Sequence, residues 1–448
     1  MIEKDPSKPY TGEMKRDLYK NLLEWKSSPR RKPLILQGAR QVGKTYLLEL
    51  FGKQEFANYI YLNFEQDKEL KKFFQKSLKP NDILENLRIY TEQSIEPGNT
   101  LLLFDEIQEC PEALNSLKYF QEEASEFHIT AAGSLLGVKL ANTAGFPVGK
   151  VNFLDLAPFS FCEFLTALGK NKLREHLENI QEIAPIIEPL HNDLLALLKK
   201  YMLIGGMPEA ISTYINSNDL PAVRKVQKEI LEAYDLDFVK HAPKEELMRI
   251  SQVWQSIPKQ LAKENSKFIF SVVRDGARGR EYENAVQWLF EAGLILKSYN
   301  ITAPKLPLPA YGDTNAFKIF MLDVGLLAAM CDVPIKVIVA ENELFSEFNG
   351  AFTENYVAQA IATKHNPLYY WTSEGIAEVD FILRHEAKIY PLEVKSGGSR
   401  RKKSLMVYDQ KFQPELLLRA STMNFKLDGK VLNFPLYMVG MLERYLLS

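Results

Sequence analysis

Apolar and polar positions change their pattern three times along this chain. Between residues 14 and 160, short apolar runs alternate with amphipathic stretches. Leu34-Ile35-Leu36, opened by Pro33, reads as a short strand. The alternating run Tyr59 to Phe64 and the continuous apolar run Leu101 to Phe104 read as two more. His128 to Ala132, ending at Gly133-Ser134, and Val151 to Leu156 complete the set. Helical stretches fall between them. One runs from Met14 to Trp25, and one opens near Gly43 with Leu47, Leu48 and Leu50 inward. A pair is broken at Pro80, and another helix follows Pro111. Pro97-Gly98-Asn99 makes the turn into the 101–104 strand. Strands that are apolar on both faces and alternate with helices predict a parallel sheet covered on both sides.

From 161 to 344 the pattern is mostly helical. It includes a glycine turn, Gly205-Gly206, ahead of Met207-Pro208-Glu209. Ala285 to Tyr299 reads as a helix, a glycine stop and a strand, the shape of a winged-helix module. From 345 to 448 the pattern becomes mixed. A helix covers Phe348 to Thr363, and strands follow at Leu368 to Trp371, Ala377 to Leu383 and Ile389 to Val394. A basic loop, a helix and a last strand at Pro435 to Val439 close the chain. The expected organisation is three domains, 14–160, 161–344 and 345–448.

Composition narrows this picture. The chain has 448 residues, with 55 Lys+Arg against 57 Asp+Glu, so no global basic excess announces nucleic acid. Any such role rests on local patches. Cys110, Cys162 and Cys331 lie far apart without metal or disulfide spacing, as expected in a reducing cytosol. The polar N-terminus lacks a signal-peptide core, and no apolar run is long enough to span a membrane. A soluble cytoplasmic protein is expected. Trp254, Trp288 and Trp371 sit among apolar neighbours and read as core. The six histidines show no ligand spacing.

Candidate chemistry begins after the first strand. Gly38-Ala39-Arg40-Gln41-Val42-Gly43-Lys44-Thr45 fits GxxxxGK[ST] between a strand and a helix. The glycines let backbone N–H groups turn toward phosphates, and the helix N-terminus adds a favourable dipole. Lys44 would neutralise β- and γ-phosphate oxygens, and Thr45 would give its hydroxyl to Mg²⁺. The strand from Leu101 ends in Asp105-Glu106. Asp105 is placed to hold Mg²⁺ and Glu106 to polarise the attacking water. Ser134, after the next strand, stands where a polar residue meets the γ-phosphate, although a turn serine has the same appearance. ATP and Mg²⁺ are the expected ligands, and ATP hydrolysis the expected reaction.

The Asp-Glu pair and the polar residue ending the next strand resemble the AAA+ ATPases. The runs GARQVGKT, FDEIQECP, AAGSLLG, FPVGKV and IGGMPEA are similar to one prokaryotic AAA+ group with a C-terminal domain of unknown function. That resemblance implies a P-loop sheet of order 5-1-4-3-2 flanked by helices, an α/β fold class, a helical and winged-helix middle, and a nuclease-like α/β C-terminal domain. It also implies assembly with neighbours, in which an arginine finger completes the site. Arg274, Arg278 and Arg280 are candidates, against the reading of a solvated basic face.

In the last region, Asp380 interrupts an apolar strand, and the next strand ends Leu392-Glu393-Val394-Lys395. Glu393 and Lys395 are two apart and face one side of a strand. With Asp380 on a neighbouring strand they make a carboxylate pair for Mg²⁺ beside a cation that orients water or stabilises phosphate. Glu354 on the preceding helix could add a carboxylate. Asp380, Glu393 and Lys395 in this order resemble the PD-(D/E)xK nuclease superfamily, and Glu354 resembles its helix glutamate. Ser399-Arg400-Arg401-Lys402-Lys403 could contact a DNA backbone, and Gln410 could face the site. A solvated loop, an exposed helical glutamine and a structural ion pair are the plainer readings. Two functions therefore stand. One is an ATPase coupled to a nuclease-like, DNA-binding module. The other is an ATP-controlled regulator whose last domain only binds nucleic acid or protein.

Overall fold

A computed structural model describes residues 14–133, 149–261, 267–334, 346–373, 377–396 and 403–446. The chain divides into two compact units. One is 15–157 with 291–293, and the other is 158–290 with the residues from 294 onward.

In the first unit, β1 (Leu34–Gln37), β2 (Asn58–Asn63), β3 (Thr100–Asp105), β4 (His128–Ala132) and β5 (Asn152–Asp155) form one sheet. Its order is β2-β3-β4-β1-β5 and every pair is parallel. Read from the other edge, this is the expected 5-1-4-3-2. The inner strands β3 and β4 are buried at each position, as strands covered on both faces are. The helices Lys44–Glu55, Lys68–Lys76, Pro80–Thr91 and Pro111–Glu123 flank the sheet. Phe64, Phe74, Leu84, Phe104 and Leu117 share one apolar core. Helix starts follow local chemistry. Asp67 accepts from the N–H groups of Glu69 and Leu70, while Pro80 and Pro111 occupy first-turn positions that need no N–H. The first helix begins at Tyr19 rather than Met14. Just ahead of it, Arg16 is buried and donates to the carbonyls of Val42 and Ala157.

The second unit opens with helices, among them Glu188–Ile204, Pro208–Ser217, Leu220–His241 and Leu247–Leu261. The anticipated helix, glycine and strand appear as Gly279–Glu291, Gly293 and β6 (Ile295–Ile301). β6 pairs antiparallel with β7 (Gly312–Met321) and parallel with β8 (Leu368–Ser373), which continues to β9 (Ala377–Val379). A second sheet has the order β10-β11-β12-β14-β13. Its members are β10 (Phe381–His385), β11 (Lys388–Val394), β12 (Leu417–Ser421), β13 (Lys426–Asp428) and β14 (Val431–Pro435). The helices Ser346–Ala362 and Lys403–Phe412 belong to the same unit. Trp254, Trp288 and Trp371 are core residues, and the three cysteines are free thiols.

Two expectations fail here. The run Ala377 to Leu383 is two strands, because Asp380 leaves the ladder and its carboxylate accepts the Val394 N–H at 2.7 Å. The last strand lies earlier, at β14, and Leu436–Tyr445 is a 3-10 helix buried along most of its length. An apolar run buried on all sides carries no period that separates strand from helix. β12 and β13 went unanticipated, since Arg419, Ser421 and Lys426 break their apolar pattern.

The Gly205-Gly206 turn is explained by Asp323. This buried carboxylate caps the helix Val324–Met330 by accepting from Leu326 N at 2.9 Å, and it accepts from Gly206 N at 2.6 Å. Gln359 donates to it as well, and to the Tyr201 hydroxyl at 3.0 Å. Gly205 has φ +76°, and a Cβ there would lie 2.1 Å from Asp323 Oδ1. Gly205→Ala should therefore destabilise this unit by roughly 2 kcal/mol or more, combining left-handed strain with a clash against a fixed carboxylate. Denaturant unfolding monitored by circular dichroism checks it. An unchanged midpoint would show that the turn relaxes freely.

Candidate functional site

The P-loop bends over the end of β1. Gly38 has φ +142°, and a Cβ there would meet the Leu156 carbonyl oxygen at 2.3 Å, so only glycine lets the loop pass. Gln41 (φ 64°) and Gly43 (φ 93°) are left-handed, and the helix Lys44–Glu55 starts directly afterwards. Lys44 is 8% exposed, and its ammonium donates to the Gly38 and Ala39 carbonyls at 2.9 and 2.8 Å. Arg40 faces Glu65 at 4.0 Å. Thr45 Oγ1 lies 3.1 Å from Asp105 Oδ2.

Asp105 ends β3 and is 4% exposed. Besides Thr45, it accepts from the Tyr61 hydroxyl at 2.7 Å and from Glu106 N at 3.1 Å. Burial dominates these bonds and raises its carboxyl above the usual range. Glu106 is left-handed at φ 49°, which turns the chain out of the sheet, and Gln108 donates to its carboxylate. Tyr61 and Arg16 are site residues that motif reading missed. Tyr61 gave a faint signal as the exposed member of the alternating β2 run. Ser134 lies outside the described residues.

The second constellation lies in the other unit. Asp380 stands one residue before the Phe381–Leu392 pair and Glu393 one residue after it on β11, so the two residues lie opposite each other at the end of the β10–β11 ladder. Glu393 is 3% exposed; Oε1 pairs with the Lys395 ammonium at 2.9 Å and Oε2 is buried without a hydrogen-bond partner. Burial first, and then the Glu354 carboxylate, push Asp380 up to about 7, against the pull of Lys318 and Lys395. Glu354, on Ser346–Ala362, is engaged by Lys318 at 2.8 Å, and Lys318 also holds Glu378 at 2.6 Å. Burial alone would push the Lys318 proton off, but Glu354, Glu378 and Asp380 outweigh it and hold the ammonium above its usual range. Lys318 was missed too. Its signal was a single lysine inside the apolar run Ala316 to Met321.

Among the described residues, no group of three or more His, Cys, Asp or Glu side chains is arranged to hold a metal ion. The paired oxygens of Thr45 and Asp105, and the orphaned Oε2 of Glu393, the residue opposite Asp380, nevertheless suit a hard cation, since Mg²⁺ takes one or two carboxylates and completes its shell with water. Gln410 is exposed on its helix, as are Arg274, Arg278 and Arg280. Of the basic run, residues 399–402 lie outside the described residues and Lys403 is exposed. Among the described residues, no helix is long and apolar enough to cross a membrane.

The Lys44 ammonium is pushed down to about 8, chiefly by burial and against the pull of Glu106 and Asp105. Its charge is present below that value and lost above it. Titration with a fluorescent ATP analogue should therefore show roughly tenfold weaker binding near pH 9 than near pH 7, and Lys44→Arg should flatten the difference. Equal affinities for the unsubstituted protein would mean that Lys44 keeps its proton throughout.

The chain resembles known proteins in part. Residues 30–165 match the family model described as AAA domain. Residues 195–336 and 349–437 match two models described only as domains of unknown function, DUF8612 and DUF4143. No curated protein matches the chain. Among solved structures, a Walker-type ATPase of Pyrococcus abyssi is 18% identical, covers 71% of this chain and 96% of its own, and superposes with a TM-score of 0.44. The Aeropyrum pernix ORC1 protein in complex with DNA is 12% identical over 72% of this chain and 92% of its own, at a TM-score of 0.29. The Thermotoga maritima RuvB Holliday junction branch migration motor is 15% identical over 63% and 89%, at 0.28. With the sheet order and the P-loop, the family match makes residues 30–165 an AAA-type P-loop domain, carried in one chain with two segments of unknown function.

Proposed function

We propose that this chain is an ATP-hydrolysing AAA+ switch coupled to a nuclease-like domain that acts on DNA. The observation that carries the ATPase half is the junction of Thr45 and Asp105 at 3.1 Å, with Glu106 next in the chain. The backbone of Gly38 to Thr45 cradles the phosphates, and Lys44 turns from the loop carbonyls to the β- and γ-phosphate oxygens. Thr45 and Asp105 hold Mg²⁺, and Ser134 meets the γ-phosphate. Glu106 accepts a proton from the attacking water while Gln108 orients its carboxylate.

In the second unit, Asp380 and Glu393 hold a divalent cation, supported by the orphaned Glu393 Oε2. Lys395 lies beside them, 31% exposed, where it orients water or meets a phosphate oxygen. At both sites the cation, when bound, neutralises phosphate oxygens. DNA is the proposed substrate because the basic run 399–403 adjoins Lys395 in the chain. ATP turnover controls this second site, and assembly of several copies supplies the arginine finger.

A second reading is favoured by one observation. Lys395 is already paired with Glu393 and Lys318 with Glu354, a network that can stand without cleaving anything. Under it, the last domain binds nucleic acid or protein under ATP control.

Lys44→Ala should abolish nucleotide binding. Glu106→Gln should keep binding while phosphate release falls by about 10²–10⁴; unchanged turnover would place the base elsewhere. Plasmid incubated with protein, ATP and Mg²⁺ or Mn²⁺ separates the two readings. Nicking that disappears in Glu393→Ala supports the nuclease. Binding of DNA that persists in Glu393→Ala, without nicking in either protein, supports the regulator. No DNA binding at low salt, with or without an ATP analogue, counts against the DNA reading.

A further inference from the structure

Lys318 is the feature that neither motif accounts for. It sits on β7, within the 195–336 segment, and is 1% exposed. Its ammonium contacts Glu354 at 2.8 Å and Glu378 at 2.6 Å, and lies 4.9 Å from the centre of the Tyr370 ring. Both carboxylates, and Asp380 and Glu393, belong to the 349–437 segment. A buried ammonium is sustained only by close counter-charges. Conversely, carboxylates bonded to an ammonium that is itself buried are poor ligands, because a metal ion brought to them would face that ammonium at close range; Lys395, paired with Glu393 Oε1, is 31% exposed and free to swing toward solvent, and it leaves Glu393 Oε2 unbonded. Arg419, in register with Glu393 on β12, directs Nε to Asn433 at 2.9 Å.

We propose that Lys318 is a built-in cation of the C-terminal site, holding Glu354 and Glu378 as its own counter-ions and leaving Asp380 and Glu393 as the pair that takes a single divalent metal ion. This rests on the nuclease-like reading and deepens it. Glu354 becomes a positioning residue and not a ligand, and the site is completed from outside the segment that carries its motif. Lys318 thereby fixes the metal count at one.

The test is Mn²⁺ titration of the full chain without nucleotide, read by electron paramagnetic resonance. It uses an Asp105→Asn background that removes the β3 carboxylate facing Thr45. One Mn²⁺ should bind, and Asp380→Asn or Glu393→Gln should each weaken it by about tenfold or more. Glu354→Gln, which can still accept from Lys318, should change it by no more than about twofold. Lys318→Met should raise the count from one to two, since Glu354 and Glu378 are then released. A tenfold loss in Glu354→Gln overturns the proposal while leaving the nuclease-like reading intact, as does a folded Lys318→Met protein that still binds one ion. If Lys318→Met does not fold, Glu354→Gln decides alone. Mn²⁺ binding that is indifferent to Asp380→Asn and Glu393→Gln overturns both.

Discussion

The carboxylate of Asp105 lies at the end of a strand that is buried at every position, where an isolated charge is costly. It is sustained by three fixed donors from three parts of the first unit: Thr45 after β1, Tyr61 on β2, and its own neighbour's backbone at Glu106. Those bonds tie the P-loop helix, an edge strand and the turn out of β3 to one point. β4 lies between β1 and β3 in the sheet, so the strand ends must align across it for Thr45 to reach Asp105 at all. The parallel register of the sheet and the curl of the P-loop serve that alignment. Arg16 braces the loop from its outer side by holding the Val42 and Ala157 carbonyls.

The second unit solves the same problem with the opposite arrangement. There lysines take most of the places that neutral donors fill around Asp105. Lys395 serves Glu393, and Lys318 serves Glu354 and Glu378. Desolvation shows in both units. It lowers the Lys44 ammonium to about 8 and raises Asp380 to about 7. Groups poised in this way are common at functional sites, though structural ion pairs share the property. Asp323 is a purely architectural example. Its oxygens hold the Gly205-Gly206 turn and cap the next helix, and nothing around it suggests chemistry.

Much of the first unit was legible because its signals are local. Pro33 before an apolar triplet, glycines at fixed offsets and a strand ending in two acids each specify a piece of backbone by their own chemistry. Strand order followed from the family resemblance and is what the sheet shows. The second unit was less legible. Asp380 divides a run that reads as one strand, because its side chain bonds to Val394 fourteen residues on. β12 was hidden by Arg419 and Ser421, polar residues that are buried with partners on β14.

What the sequence by itself determined, then, is every feature whose cause lies within a few residues: the P-loop, the Asp105-Glu106 strand end, the Glu393–Lys395 spacing and the alternation of strands and helices. What only the tertiary structure decided is which distant charges meet. Tyr61 joins Asp105 across 44 positions, and Lys318 joins Glu354 across 36. The reason is physical. Spacing along a chain records the period of a helix or strand, whereas the compensation of a buried charge depends on distance in space, which the chain sets only after it has folded.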